Sequence, residues 1–177
     1  FAGANLLLAV ELSHQEYALF TLVLALVNLA AFASPVGLDA LVLRRRLEIG
    51  PPLLRRLLLV SSFVTLLFVL VGHVFYHLAP WLLPTLAVST ISGAVIAVAG
   101  ARLQSEQRFV LALPLTQSPN FVLMVAALAS WTQGWKAAWP ALSIFALGYA
   151  MAAIVGWSIV RRGHVSEQSA TGSFPWG

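Results

Sequence analysis

Residues Leu57–Ala101 read LLLVSSFVTLLFVLVGHVFYHLAPWLLPTLAVSTISGAVIAVAGA, and the run contains no Asp, Glu, Lys or Arg. A helix needs about 20 apolar residues to cross a bilayer core of about 30 Å, so this stretch is long enough for two crossings. Ala79-Pro80-Trp81 lies near its middle, and proline interrupts a helix there by removing a backbone donor. The pattern therefore predicts spans over 57–78 and 81–101. Working outward, Tyr17–Leu38 is free of ionised side chains between Glu16 and Asp39, and Phe109–Trp135 and Ala137–Val160 are equally uncharged. These predict spans over 17–38, 109–131 and 138–160. Residues 1–10 are apolar, start at Phe1 and show neither the basic n-region nor the cleavage site of a secretory signal. They read as the tail of a first span whose beginning is missing, which makes the sequence a fragment. The expected fold is thus all-α: a polytopic transmembrane bundle of about six spans over residues 1–162. Residues 163–177 are polar and contain Gly and Ser, and read as a disordered cytosolic tail or linker.

Composition narrows the alternatives. Charged residues make up 9% of the 177 and hydrophobic ones 60%, against roughly 25% charged in ordinary soluble domains. A soluble chain of this size would need polar residues to cover its outside. The runs are too long and too uniformly apolar for amphipathic surface helices, and they lack the alternation of an outer-membrane barrel. The net charge is +4, with the arginines in short clusters between apolar runs, so no nucleic-acid partner is expected. There are no cysteines, which removes disulfides, thiolate catalysis and cysteine-bound metals.

The basic residues orient the bundle. Arg44, Arg45, Arg46, Arg55 and Arg56 fall between the second and third spans. Arg102 and Arg108 fall between the fourth and fifth, and Arg161 and Arg162 follow the sixth. With alternating spans all of these share one side, and the other side holds only Lys136. The positive-inside rule then places the loops near 39–56 and 102–108 and the C-terminal tail in the cytosol. Tyr17, Tyr76, Trp81, Trp131, Trp135 and Trp139 fall at the opposite ends, where amphipathic rings settle at headgroup level.

Inside the spans, small residues recur four apart: Ser89, Gly93, Ala97 and Ala101 in the fourth, and Gly148, Ala152 and Gly156 in the sixth. Close helix packing in lipid needs such residues, and they read as intramolecular contacts in preference to a dimer face. The polar residues bear more on function. Thr116-Gln117-Ser118-Pro119-Asn120 lies about half-way along the fifth span, with Gln117 and Asn120 on one face and Pro119 freeing a carbonyl. The group suggests a kinked helix facing a hydrated cavity, or else a polar contact between helices. Asn28 lies near the centre of the second span, and Asp39 follows Pro35-Val36-Gly37-Leu38 toward its cytosolic end. Asp39 reads as a gate, an ion-pair partner or a headgroup-level charge. Arg44, Arg45 and Arg46 suit a diphosphate-binding entrance, because guanidinium matches phosphate bidentately, and equally suit a topology signal against anionic lipid heads. His73 and His77, four apart, lack a third ligand, so no metal site and no cofactor are expected.

The order Leu12-Ser13-His14-Gln15-Glu16-Tyr17-Ala18-Leu19-Phe20, then Gly37-Leu38-Asp39-Ala40-Leu41-Val42-Leu43-Arg44-Arg45, resembles the start of bacterial polysaccharide flippases. These belong to the multidrug/oligosaccharidyl-lipid/polysaccharide exporter superfamily. Arg102-Leu103-Gln104-Ser105-Glu106-Gln107-Arg108-Phe109 resembles the loop joining their fourth and fifth helices. The likeness is diffuse and covers nearly the whole chain; Ala18 departs from the glycine that many relatives carry after the tyrosine. It implies the first of two six-helix lobes around a central cavity, in the bacterial cytoplasmic membrane. It further implies translocation of a lipid-linked oligosaccharide for polysaccharide biosynthesis. The partners implied are the lipid bilayer, the lipid-linked saccharide and a C-terminal lobe of the same chain. Asp39, Arg44 and Arg45 match the motif and are carried over as substrate-binding candidates, beside Asn28, Gln117 and Asn120 from the span polarity.

Two other functions compete. A small-molecule exporter of the same superfamily would favour a buried carboxylate for ion coupling, and here Asp39 is marginal and Glu11 lies near an external end. A membrane-embedded glycan polymerase or acyltransferase would need clustered acid–base groups at the external face. Glu11, His14, Glu16, His73, His77 and Lys136 read there as scattered, and no nucleophile–base pair stands out, so no enzyme activity is expected.

Overall fold

The structure is a computed structural model that describes the backbone of residues 2–45 and 50–171 and the side chains of 2–44 and 50–162. Its helices are α1 (Ala2–Glu11), α2 (His14–Ala33), α3 (Leu38–Arg45), α4 (Pro51–Val74), α5 (Leu83–Ser105), α6 (Phe109–Thr116), α7 (Ser118–Gln133) and α8 (Ala138–Thr171), with a 3-10 turn at Pro80–Leu82 before α5. Among the described residues every regular element is helical. Four helices are long and apolar enough to cross a membrane: His14–Ala33, Pro51–Val74, Pro80–Ser105 and Ala138–Arg162. The pair α6 and α7, bent by 44°, makes a fifth if it is one span.

Helix α5 is the centre of the bundle. It packs against α2, α3, α4, α6 and α8, and it buries Leu86, Ser89, Thr90, Gly93, Ala94, Val98, Ala99, Gly100 and Leu103 on nearly all sides. A helix so enclosed needs small side chains where neighbours approach closely. A Cβ added at Gly93 would stand 2.5 Å from the Ala31 Cβ of α2 and 3.0 Å from the Tyr149 Oη of α8. The α8 glycines act in the same way: a Cβ at Gly148 would meet Val122 at 2.6 Å and one at Gly156 would meet Leu115 at 2.6 Å. The small-residue stripes are therefore intramolecular contacts.

The outer surface is the reverse of a soluble protein's. Phe32 and Val110 are 87% and 85% exposed, and Leu59, Phe63, Leu66, Leu67 and Leu70 line the outside of α4. Contiguous apolar surface on this scale is a binding or membrane face, and the chain is a membrane protein by helix length, composition and surface together. Tyr76, Trp81, Trp131 and Trp139 are exposed at one end of the bundle, the aromatic end. The arginines of α3, α4, α5 and α8 gather at the other, the basic end.

Several spans differ from the sequence reading. The second ends at Ala33, not Leu38, because Val36 (φ 45) and Gly37 (φ 78) are left-handed and cannot continue a right-handed helix; the chain resumes as α3. The third begins at Pro51, since Pro51 and Pro52 take the first helical positions, where the missing donors cost nothing. Arg55 and Arg56 are consequently inside α4, not in a loop. That helix ends at Val74 with His77 left-handed beyond it, so His73 and His77 do not share a helix. The fifth span breaks at Gln117 into α6 and α7, within the stretch where the sequence reading expected a kink. Helix α8 runs past Arg162 to Thr171, over residues read from sequence as a disordered tail or linker; residues 172–177 lie outside the described residues.

Candidate functional site

Helix α5 serves as a ruler for depth, at 1.5 Å per residue. Ser34, buried at the end of α2, donates its hydroxyl to the carbonyls of Ala31 (3.2 Å) and Thr90 (3.4 Å). Thr90 is fifteen residues, about 22 Å, along α5 from Ser105 at the basic end. The turn before α3 thus packs against α5 at Thr90, five residues ahead of Asp39, which the sequence reading left as a gate, an ion-pair partner or a headgroup-level charge. Asp39 is half-buried in the first turn of α3, where a carboxylate suits the positive end of the helix. Arg44, in the same helix, is exposed. The Arg45 side chain and all of Arg46 lie outside the described residues, so the arginine triplet is seen only at its first member.

The polar pair moves the other way. A Cβ added at Gly100 would come 2.8 Å from the Thr116 Cγ2. Gly100 is five residues, about 7.5 Å, from Ser105. Gln117 and Asn120 therefore stand in the basic half of the bundle, short of the mid-span position expected by counting from Arg108. Gln117 is exposed, Asn120 half-buried, and the Asn120 Nδ2 donates to the Gln117 Oε1 at 2.6 Å. This bond spans the break itself. The Gln117 carbonyl accepts from the amides of Asn120 and Phe121, starting α7, with Pro119 within its first turn. Among the described residues the hydrogen bonds of the pair stay within α6 and α7. Asn28 is exposed on α2. The structure brings Gln117 and Asn120 together and leaves Asn28, Asp39 and Arg44 on other elements.

Two ionic clusters escaped the sequence reading. At the aromatic end the Lys136 Nζ donates to the Glu11 Oε1 at 2.6 Å, and the Ala138 amide donates to the Glu16 Oε2 at 2.6 Å. Glu16 therefore caps the first residue of α8 from 122 positions away. Of the six residues read as scattered, Glu11, Glu16 and Lys136 are grouped, joining the α1–α2 corner to the α7–α8 connection. Ser13-His14-Gln15-Glu16 has the spacing of a capping box, and Ser13 does accept from the Glu16 amide at 3.4 Å. The Glu16 carboxylate, which a capping box would turn back locally, reaches α8 instead. At the basic end the Arg102 Nε donates to the Glu106 Oε1 at 2.6 Å, and the Arg108 Nη1 lies 3.5 Å from the Glu106 Oε2. Arg102 is only 7% exposed; one of the arginines counted as a topology signal is a buried structural ion. Among the described residues no three His, Asp or Glu side chains group as metal ligands.

No protein-family model, curated protein or solved structure matches this chain.

Proposed function

We propose that this chain is one lobe of a bacterial cytoplasmic-membrane exporter that carries a lipid-linked oligosaccharide from the cytosolic to the external leaflet. The basic end faces the cytosol in this reading, by the positive-inside rule, and a second lobe completes the cavity. The observation that carries it is the Gln117–Asn120 pair. It sits at a break in a span, bonds internally and presents Gln117 to the outside of the bundle. Exposed amides and interrupted backbone do not face lipid; at membrane depth they line protein or water. A glycan path between two lobes meets that requirement, and broken helices border substrate sites in many transporters. The resemblance of residues 12–20, 37–45 and 102–109 to polysaccharide flippases points the same way. Asn28, Asp39, Arg44 and Arg45 remain proposed contacts to substrate, and the work done is movement without bond-making.

A small-molecule exporter of the same superfamily is the second reading; a half-buried carboxylate such as Asp39 would suit its ion coupling. Transport assays in the full-length protein separate the two. Asn120→Leu should leave thermal stability within about 1 kcal/mol, since polar contacts in membrane helices average about 0.6 kcal/mol, while strongly reducing glycolipid transfer. Wild-type transfer by Asn120→Leu, with a cysteine at position 120 sealed from aqueous reagents, would remove the basis of the cavity. Loss of a cation-driven drug efflux in Asp39→Asn would instead establish the second reading.

A further inference from the structure

The start of α4 carries a feature that the transport reading does not use. Pro51, Pro52, Arg55, Arg56 and Leu59 line an open groove of about 500 Å³ at the basic end. A second concavity continues from it over Leu54, Arg55, Leu58, Leu59 and Ser62. The first lies within the roughly 300–1,000 Å³ of small-molecule sites. Both arginines are exposed, and among the described residues neither meets a carboxylate. They stand four and five residues after Pro51, about 6–7.5 Å into the helix. Below them the same helix exposes Leu58, Leu59, Phe63, Leu66 and Leu70.

We propose that this groove binds the phosphate headgroup of an anionic phospholipid, with an acyl chain lying along the apolar outside of α4. The occupant follows from two complementary halves. Two exposed cations at the start of a span, with no carboxylate partner among the described residues, call for an anion. A wall of Leu58 and Leu59 continuous with exposed apolar helix calls for hydrocarbon joined to that anion. A free phosphate would use only the first half, and a neutral lipid only the second. The site lies on the lipid-facing helix and does not depend on what the chain transports.

Native mass spectrometry of the purified chain in detergent, with phosphatidylglycerol and phosphatidylcholine in competition, reads the preference directly. Wild type should retain phosphatidylglycerol by about fivefold per arginine. R55Q/R56Q should fall to parity, and R161Q/R162Q, which alters an exposed basic pair on α8, should keep the preference. Retention by R55Q/R56Q, or equal loss by R161Q/R162Q, would reduce the effect to general surface charge and overturn the site. Displacement of phosphatidylglycerol by millimolar glycerol 3-phosphate would show an anion site with no lipid component, which also overturns it. A photoactivatable phosphatidylglycerol on wild type localises the lipid without any variant. Cross-links within residues 51–62 support the groove, and cross-links elsewhere refute it.

Discussion

Gly93 stands where α2, α5 and α8 meet, and its missing side chain is what lets them. A Cβ there would press on Ala31 at 2.5 Å, and the Ala31 Cα, a backbone atom, lies only 3.3 Å away, so a rotamer change gives no relief. Gly93→Val should therefore lower stability by about 1–3 kcal/mol, the usual cost of overpacking a close-packed site, read as a drop in thermal midpoint in detergent. An unchanged midpoint would mean that α2 and α5 are not held at this distance. Arg102 illustrates the same scale with charge. In sequence it is one of nine arginines on one side; in the fold it is 8% exposed at its side chain and paired with Glu106 at 2.6 Å. Its role is set by burial, which residue type alone does not report.

At the scale of the element, two short connections decide the geometry. Gly37 has φ +78 and nothing within 4 Å of an added Cβ. Gly37→Ala meets no steric neighbour and should cost only the left-handed backbone penalty, about 1–2 kcal/mol. A neutral or stabilising result in thermal melts would show that the α2–α3 turn does not adopt this conformation. The Glu16 bond to the start of α8 gives a contrast within one cluster. Glu16→Gln keeps an acceptor but loses its charge against the positive helix end, and should cost about 0.5–1 kcal/mol. Lys136 is 70% exposed at its side chain, and an exposed ion pair contributes little. Lys136→Gln should change stability by less than about 0.5 kcal/mol. Finding the lysine variant the weaker of the two would reverse the roles assigned to them.

At the scale of the whole molecule, one end is basic and the other aromatic. With the basic end in the cytosol, a cysteine at Ser105 should be shielded from an impermeant thiol reagent in intact cells. One at Gln133 should label. Labelling at Ser105 would invert the proposed orientation and, with it, the direction in which the Gln117–Asn120 break opens. The apolar outside of α4 and the exposed face of α6 also imply that delipidated chain should aggregate far more readily than chain in micelles or bilayer, since large exposed apolar patches are association surfaces. Light scattering after detergent removal reads this, and a monodisperse detergent-free chain would contradict the membrane assignment.

The amino-acid sequence by itself determined that this is a helical membrane protein and roughly where its helices run. Exclusion of charge from lipid leaves its mark along the chain, as in Leu57–Ala101, and small residues four apart, such as Gly148 and Gly156, mark close packing wherever the partner lies. Proline made the breaks near 80 and 119 legible, because a missing backbone donor is a local property, whereas the left-handed turn at Val36 and Gly37 was read through as part of a span to Leu38. Depth and pairing were not legible. Gln117 came out nearer the basic end than residue counting put it, because its level is set by where α6 crosses α5, at Gly100. Glu16 reached α8, and Glu11 met Lys136, across more than a hundred residues of chain. Only the packed bundle brings those groups within 2.6 Å, since a carboxylate's partner depends on tertiary distance and not on its position in the chain.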